Sequence, residues 1–175
     1  AFTLYVFIAD GRRGVKRFWT HIPAPALTAW GTGSSLAALP LNLEAARRIG
    51  IPEDIRETVL PIGATIHMDG SCLAALLKIA MLFSFYDKPF EGLPVYLSAI
   101  GVALLCGVVM SGIPGGGFLG EMLIVTLYGF PPEALPVISM LGTLVDPPAT
   151  MVNSAGDTAA AMLVHRCMKQ EPNRT

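Results

Sequence analysis

The sequence predicts an all-α membrane protein made of two re-entrant helical hairpins and two broken transmembrane helices arranged as an inverted repeat. Three observations carry this. The chain is 53% hydrophobic and only 14% charged, with a mean hydropathy of +0.57, whereas a soluble domain carries about 25% charge. Apolar runs long enough to span a bilayer are interrupted at their centres by polar residues. Shorter apolar pairs are joined by tips of Gly, Ser and Pro.

The elements follow in order. Residues 1–9 are apolar but too short to cross a bilayer, so they read as the end of a preceding transmembrane helix, and the chain reads as a piece of a longer protein. A basic turn follows, with Arg12, Arg13, Lys16 and Arg17. Residues 22–50 form two short apolar arms around Gly31-Thr32-Gly33-Ser34-Ser35, a first re-entrant hairpin. Bare backbone of this kind is tolerated at membrane depth only inside protein or beside water. Arg47 to Glu57 reads as a polar surface loop. Residues 58–86 are long enough to span, but His67-Met68-Asp69-Gly70-Ser71 breaks them. Residues 93–130 repeat the hairpin pattern around Met110-Ser111-Gly112-Ile113-Pro114-Gly115-Gly116-Gly117. Residues 134–165 form the second broken span, with Asp146, Pro147, Pro148, Thr150, Asn153 and Asp157 in its middle. Together residues 22–168 read as one core domain.

An odd span between the two tips gives the repeats opposite orientations. Paired Gly/Pro-interrupted segments in corresponding positions point to a transporter site. Arg47, Arg48 and Arg56 join the earlier basic residues before the first span, and Arg166, Lys169 and Arg174 follow the last, whereas Lys88 lies opposite. That places the first-hairpin side and the C-terminus in the cytoplasm. The net charge of -1 argues against a nucleic-acid partner. Cys72, Cys106 and Cys167 are widely spaced and suggest neither a disulfide framework nor zinc. No nucleophile–base pair is visible, so an enzyme is not expected.

Asp146, Thr150, Asn153 and Asp157 are spaced four, three and four residues apart, so they share one helical stripe. Carboxylates in such a helix must face the protein interior, and an oxygen-rich stripe suits a hard cation. A polar helix–helix contact is the plainer use of Thr150 or Asn153. Pro147 and Pro148 release the carbonyls of Thr143 and Leu144 from their usual partners, either for a ligand or as a kink. Asp69, with Gly63, Thr65, His67, Met68 and Ser71 around it, is either a cation ligand or a cap at the break. His67 is a hydrogen bonder or a group that titrates near neutral pH. The tips at Ser34-Ser35 and Ser111-Gly112 offer hydroxyls and amides to an anionic group, or are turns. Lys78 and Glu121 also fall at membrane depth, where each is costly alone and the two are candidates to pair.

At these residues the chain resembles the dicarboxylate/amino acid:cation symporter family, which has the glutamate-transporter fold. The motifs are Ser34-Ser35-Leu36-Ala37-Ala38-Leu39-Pro40, Leu60-Pro61-Ile62-Gly63-Ala64-Thr65-Ile66-His67-Met68-Asp69-Gly70-Ser71, Gly112-Ile113-Pro114-Gly115-Gly116-Gly117, and Asp146 through Thr150-Met151-Val152-Asn153 to Gly156-Asp157. The resemblance implies a homotrimer working by an elevator motion in a lipid membrane and, with 22–168 as its core, a transport domain; a bacterial inner membrane is the expected location. It implies sodium-coupled symport of a small amino acid or related carboxylate, with a proton as the alternative coupling ion. A non-transporting binding or sensor paralogue is the other class. Sodium ligands would fall at Asp69, Asn153 and Asp157, with Gly63, Thr65, Met68 and His67 in the same cluster. Asp146 and Thr150 would hold the substrate's amino group and Ser35 with the second hairpin (Ile113, Pro114 and Gly115) its carboxylate, with Ser34 and Asn153 completing the substrate site. Three positions depart from the pattern. Ala149 and Gly33 stand where the family has arginines, and His67 where it has asparagine. The first departure argues for a neutral rather than an acidic substrate.

Overall fold

The structure, a computed structural model, describes residues 1–111 and 116–169. Eight helices order the described residues: α1 (Phe2–His21), α2 (Pro23–Thr32), α3 (Ser35–Ile49), α4 (Glu53–Ile66), α5 (Asp69–Phe85), α6 (Leu93–Met110), α7 (Gly116–Leu127) and α8 (Ala134–Lys169). The chain divides into two compact units. One comprises Ala1–His67 and the chain from Met151 onward, and the other Met68–Thr150. The division falls at the middle of each long span, at His67/Met68 and at Thr150/Met151, and not between the two repeats.

In the first unit, α1 is two limbs. Asp10 (φ -145°) and Gly11 (φ 59°, ψ -152°) leave helical geometry between them, and only glycine adopts the second conformation without strain. The basic residues from Arg12 to Arg17 are therefore helical and not a turn. Arg17 Nη1 donates to the Ile49 carbonyl at 3.2 Å.

The first hairpin forms as its sequence directs. Pro23 starts α2, where its missing N–H costs nothing. Gly33 ends α2 in the left-handed region (φ 61°) and gives its N–H to Ala29. Ser34 then caps α3, accepting from the Ala37 N–H at 3.2 Å. Helix α3 runs on to Ile49, and Gly50 (φ 97°) closes it. The polar stretch expected to be a loop from Arg47 to Glu57 is thus a three-residue turn between two helices. Its charges sit on helix surfaces, where Glu44 binds Arg47 and Arg48, each at 2.8 Å. Those two guanidiniums hold the Glu44 carboxyl down at about 2. Helix α4 begins just after Pro52, with Glu53 and Asp54 in its first turn, where acidic residues suit the helix dipole. The helix that leads into the first span accordingly starts at Glu53. Val6, Phe18, Ile22, Ala46, Leu60 and Met162 anchor the core of this unit.

In the second unit, α5, α6, α7 and the first part of α8 pack around Ile79, Leu82, Cys106, Ile124 and Ile138, all at 0–1% exposure. The arms of the second hairpin approach closely because glycines face Met110. A Cβ on Gly116 would lie 2.6 Å from the Met110 carbonyl oxygen, and one on Gly120 would lie 2.7 Å from its sulfur. Small residues permit such contacts between apolar helices. Phe83, Phe90, Tyr128 and Phe130 cluster edge to face at one end, and Lys88 lies 4.3 Å over the Phe130 ring. An aromatic girdle with a cation suits a membrane–water boundary.

Among the described residues, three stretches are long and apolar enough to cross a membrane: Glu53–Phe85, Leu93–Met110 and Ala134–Lys169. The first is interrupted at His67 (ψ 99°) and Met68 (φ -121°). The last is assigned as helix throughout and carries Pro147 and Pro148 inside it. The two prolines leave open a ligand-binding opening or a kink, and the helix continues across them. A proline removes one hydrogen bond without necessarily unwinding the turn, so Asp146 and Thr150 stay on helical backbone.

Candidate functional site

The predicted ligands divide between the units. Gly63, Thr65, His67, Asn153 and Asp157 belong to the first, with Ser34 and Ser35. Met68, Asp69, Asp146 and Thr150 belong to the second. Ile113, Pro114 and Gly115 lie outside the described residues.

In the first unit, Asp157 is 1% exposed and sits against α4. Its Oδ1 is 2.9 Å from His67 Nδ1. Gly63 makes this approach possible, because a Cβ there would lie 2.6 Å from the same oxygen. The glycine of the motif is therefore a space requirement. Its carbonyl accepts the His67 N–H at 2.8 Å and keeps a second lone pair. Asn153, one turn before Asp157, is 2% exposed. A carboxylate, an amide and a backbone oxygen are the kinds of donor that a hard cation takes. Thr65 sends its hydroxyl to the Ile62 carbonyl at 2.7 Å. Ser34 is the cap of α3, and Ser35 opens that helix, 7% exposed.

One buried network in this unit was not anticipated. Asn42, 0% exposed, donates to Ser154 Oγ at 2.8 Å and to the Ser154 carbonyl at 3.2 Å. Its Oδ1 accepts from Thr158 at 3.3 Å. The network fastens the first hairpin to α8 beside Asn153 and Asp157. An asparagine within an apolar arm was the available signal.

In the second unit, Asp69 is the first residue of α5, and its Oδ1 accepts the Gly70 N–H at 2.8 Å. Its charge suits a helix N-terminus. Ser71 points its hydroxyl toward the Met68 sulfur at 3.7 Å. Thr150 donates to the Asp146 carbonyl at 2.9 Å, within its own helix. Lys78 and Glu121 do pair, at 2.9 Å, and Lys78 also reaches Asp146 Oδ1 at 2.7 Å. Glu121 Oε2 takes a further bond from Ser139 at 2.6 Å. Neither long-range partner of Lys78 is fixed by sequence spacing, and the third member of the cluster was not expected.

These features define a membrane protein of the transporter class: intramembrane carboxylates beside a broken span and a capped hairpin. The sodium:dicarboxylate symporter family model matches residues 1–167, and the chain belongs to that family. It is 29% identical over 171 residues to the neutral amino acid transporter B(0) of Homo sapiens, covering 97% of this chain and 31% of that protein. It is also 29% identical to the human excitatory amino acid transporter 2, over 95% of this chain and 29% of that protein. The same identity holds for the human neutral amino acid transporter A, over 91% and 30% respectively. The chain thus spans about a third of the length of these relatives. Family and relatives are transporters and not enzymes.

Proposed function

We propose that this chain is the substrate- and ion-binding portion of a sodium-coupled symporter for a small amino acid or related carboxylate with a neutral side chain. The observation that carries the reading is Asp157, a carboxylate 1% exposed in a membrane-length helix and seated against Gly63. Such a charge is expensive in a membrane and marks an ion or substrate path. Sodium is cargo here: Asp157, Asn153 and the Gly63 carbonyl contribute oxygens, with Asp69, Met68, Thr65 and His67 completing the set implied by family resemblance. Substrate lies toward Ser34, Ser35, Ile113, Pro114, Gly115, Asp146 and Thr150, with Asn153 serving both. The relatives named for neutral and excitatory amino acids support the substrate class. Ala149, where the family has arginine, favours the neutral side of it.

In this reading the core moves as an elevator within a homotrimer in a bacterial inner membrane. Exposed apolar residues such as Leu104, Val108 and Leu144 (58, 75 and 74% exposed) supply surface for lipid or for further helices. The test is uptake by the whole protein in proteoliposomes with and without a sodium gradient. Accumulation that ignores sodium would refute the coupling. A second coupling reading rests on His67, whose Nδ1 faces Asp157 at 2.9 Å. There a proton takes the place of one sodium, and a pH gradient alone would then drive uptake.

A further inference from the structure

The second unit holds an ion cluster that the family resemblance does not account for. Lys78 from α5 bridges Glu121 of α7 at 2.9 Å and Asp146 of α8 at 2.7 Å. The Lys78 and Glu121 side chains are 3 and 5% exposed, and that of Asp146 is 33% exposed. The space between Ser71, Gly117, Gly120 and these three residues is too tight to admit a water molecule, so a ligand can meet the cluster only at the exposed edge of Asp146. Two glycines make room for the cluster. A Cβ on Gly142 would collide with Glu121 Oε1 and lie 3.1 Å from Lys78 Nζ, and one on Gly117 would lie 3.2 Å from Asp146 Oδ2.

We propose that Lys78 is a specificity-determining residue, a tethered ammonium on Asp146 that selects small carboxylates, hydroxycarboxylates above all, over amino acids. The proposal rests on the transport reading above and narrows its substrate class. A free ammonium reaching Asp146 meets a cation already 2.7 Å from that carboxylate. Two ammonium groups on one carboxylate repel strongly where the dielectric is low. Lys78 has little room to leave, since it is almost fully buried. Glu121 already engages it through Oε1, while Oε2 takes the Ser139 hydroxyl at 2.6 Å. A neutral hydroxyl has no such conflict. It donates to the open edge of Asp146 without adding charge.

L-Lactate and L-alanine differ only in carrying a hydroxyl or an ammonium, which makes them the probes. Their dissociation constants are measured on the purified whole protein in saturating sodium, in the parent and in K78M/E121Q. The double substitution removes one charge of each sign and leaves Asp146 ionised. We expect the parent to bind lactate at least tenfold tighter than alanine, and the double variant to move that ratio at least tenfold toward alanine. A purely structural Lys78 would weaken both ligands alike and leave the ratio unchanged, which overturns the proposal. Should the double variant fail to fold, E121Q alone decides. It leaves Lys78 to Asp146 alone, so the ratio should move further toward lactate, and an unchanged ratio overturns the idea. A parent that prefers alanine and carries it with sodium overturns this inference and keeps the transport reading. A parent that binds neither compound overturns this inference, and uptake that ignores the sodium gradient overturns the transport reading with it.

Discussion

Gly63 and Asp157 are fitted to each other: the α4 glycine leaves just the space that the α8 carboxylate fills, with a Cβ position only 2.6 Å from Oδ1. Gly63→Ala must push the carboxylate aside or bend α4. We expect the substitution to raise the sodium concentration needed for half-maximal substrate binding by at least tenfold. Substrate affinity at saturating sodium should change less. Equal loss of both would mean that the glycine serves packing alone.

Asp157→Asn tests the charge itself while keeping the shape. Sodium-dependent binding should weaken by well over tenfold, equivalent to more than about 1.4 kcal/mol. The asparagine can still face His67, whose Nδ1 lies 2.9 Å from Oδ1 in the parent, so the protein should remain folded. Sodium dependence identical to the parent would remove Asp157 from the ion path.

Much of this architecture could be read from the chain. Gly33 and Ser34 announce the first tip because one permits a left-handed turn and the other caps a helix. Asp69 and Gly70 announce the first break. Three features resisted reading for physical reasons. Arg47 and Arg48 look like a loop because they are charged, yet Glu44 pairs with both along one helix face. Pro147 and Pro148 allow either carbonyls freed for a ligand or a kink, and sequence alone does not say that helix continues across them. The Lys78 cluster joins residues 43 positions apart and then a third helix, which no local spacing encodes.

Asn42 supplies a test of stability. Its amide satisfies Ser154 and Thr158 in a fully buried setting. Asn42→Leu leaves those hydroxyls and a carbonyl without their partner, at a cost of about 1–3 kcal/mol. Thermal unfolding of the detergent-solubilised protein should shift down accordingly. The variant should also bind sodium less tightly, since α8 carries Asp157 one turn below Ser154. An unshifted melting curve would show that the network is incidental.

Acidic amino acids should compete poorly. A second carboxylate entering near Ala149, itself 8% exposed, finds no arginine on that turn, and an unpaired buried charge costs several kcal/mol. Aspartate and glutamate are expected to inhibit uptake at least tenfold more weakly than the best neutral carboxylate. Ala149→Arg should narrow that gap. Competition by aspartate on equal terms with the best neutral substrate would refute the assignment.

The Lys78 cluster also makes a prediction about folding that is separate from specificity. Lys78→Met removes the cation and leaves two carboxylates facing an apolar side chain, one of them 5% exposed. Removing one partner of a buried pair typically costs about 3–5 kcal/mol, whereas replacing the whole pair with apolar or neutral groups is often neutral. Lys78→Met should therefore unfold at a markedly lower temperature than the parent. Lys78→Met with Glu121→Gln should recover most of the loss, because Asp146 is one-third exposed and can be solvated, and a glutamine amide can still accept the Ser139 hydroxyl bond that Glu121 Oε2 takes at 2.6 Å. Thermal melts of the parent, the single variant and the double variant under one condition measure this directly. If the double variant is no more stable than Lys78→Met, the Glu121 charge is not what the lysine compensates, and the pairing between α5 and α7 contributes by shape alone.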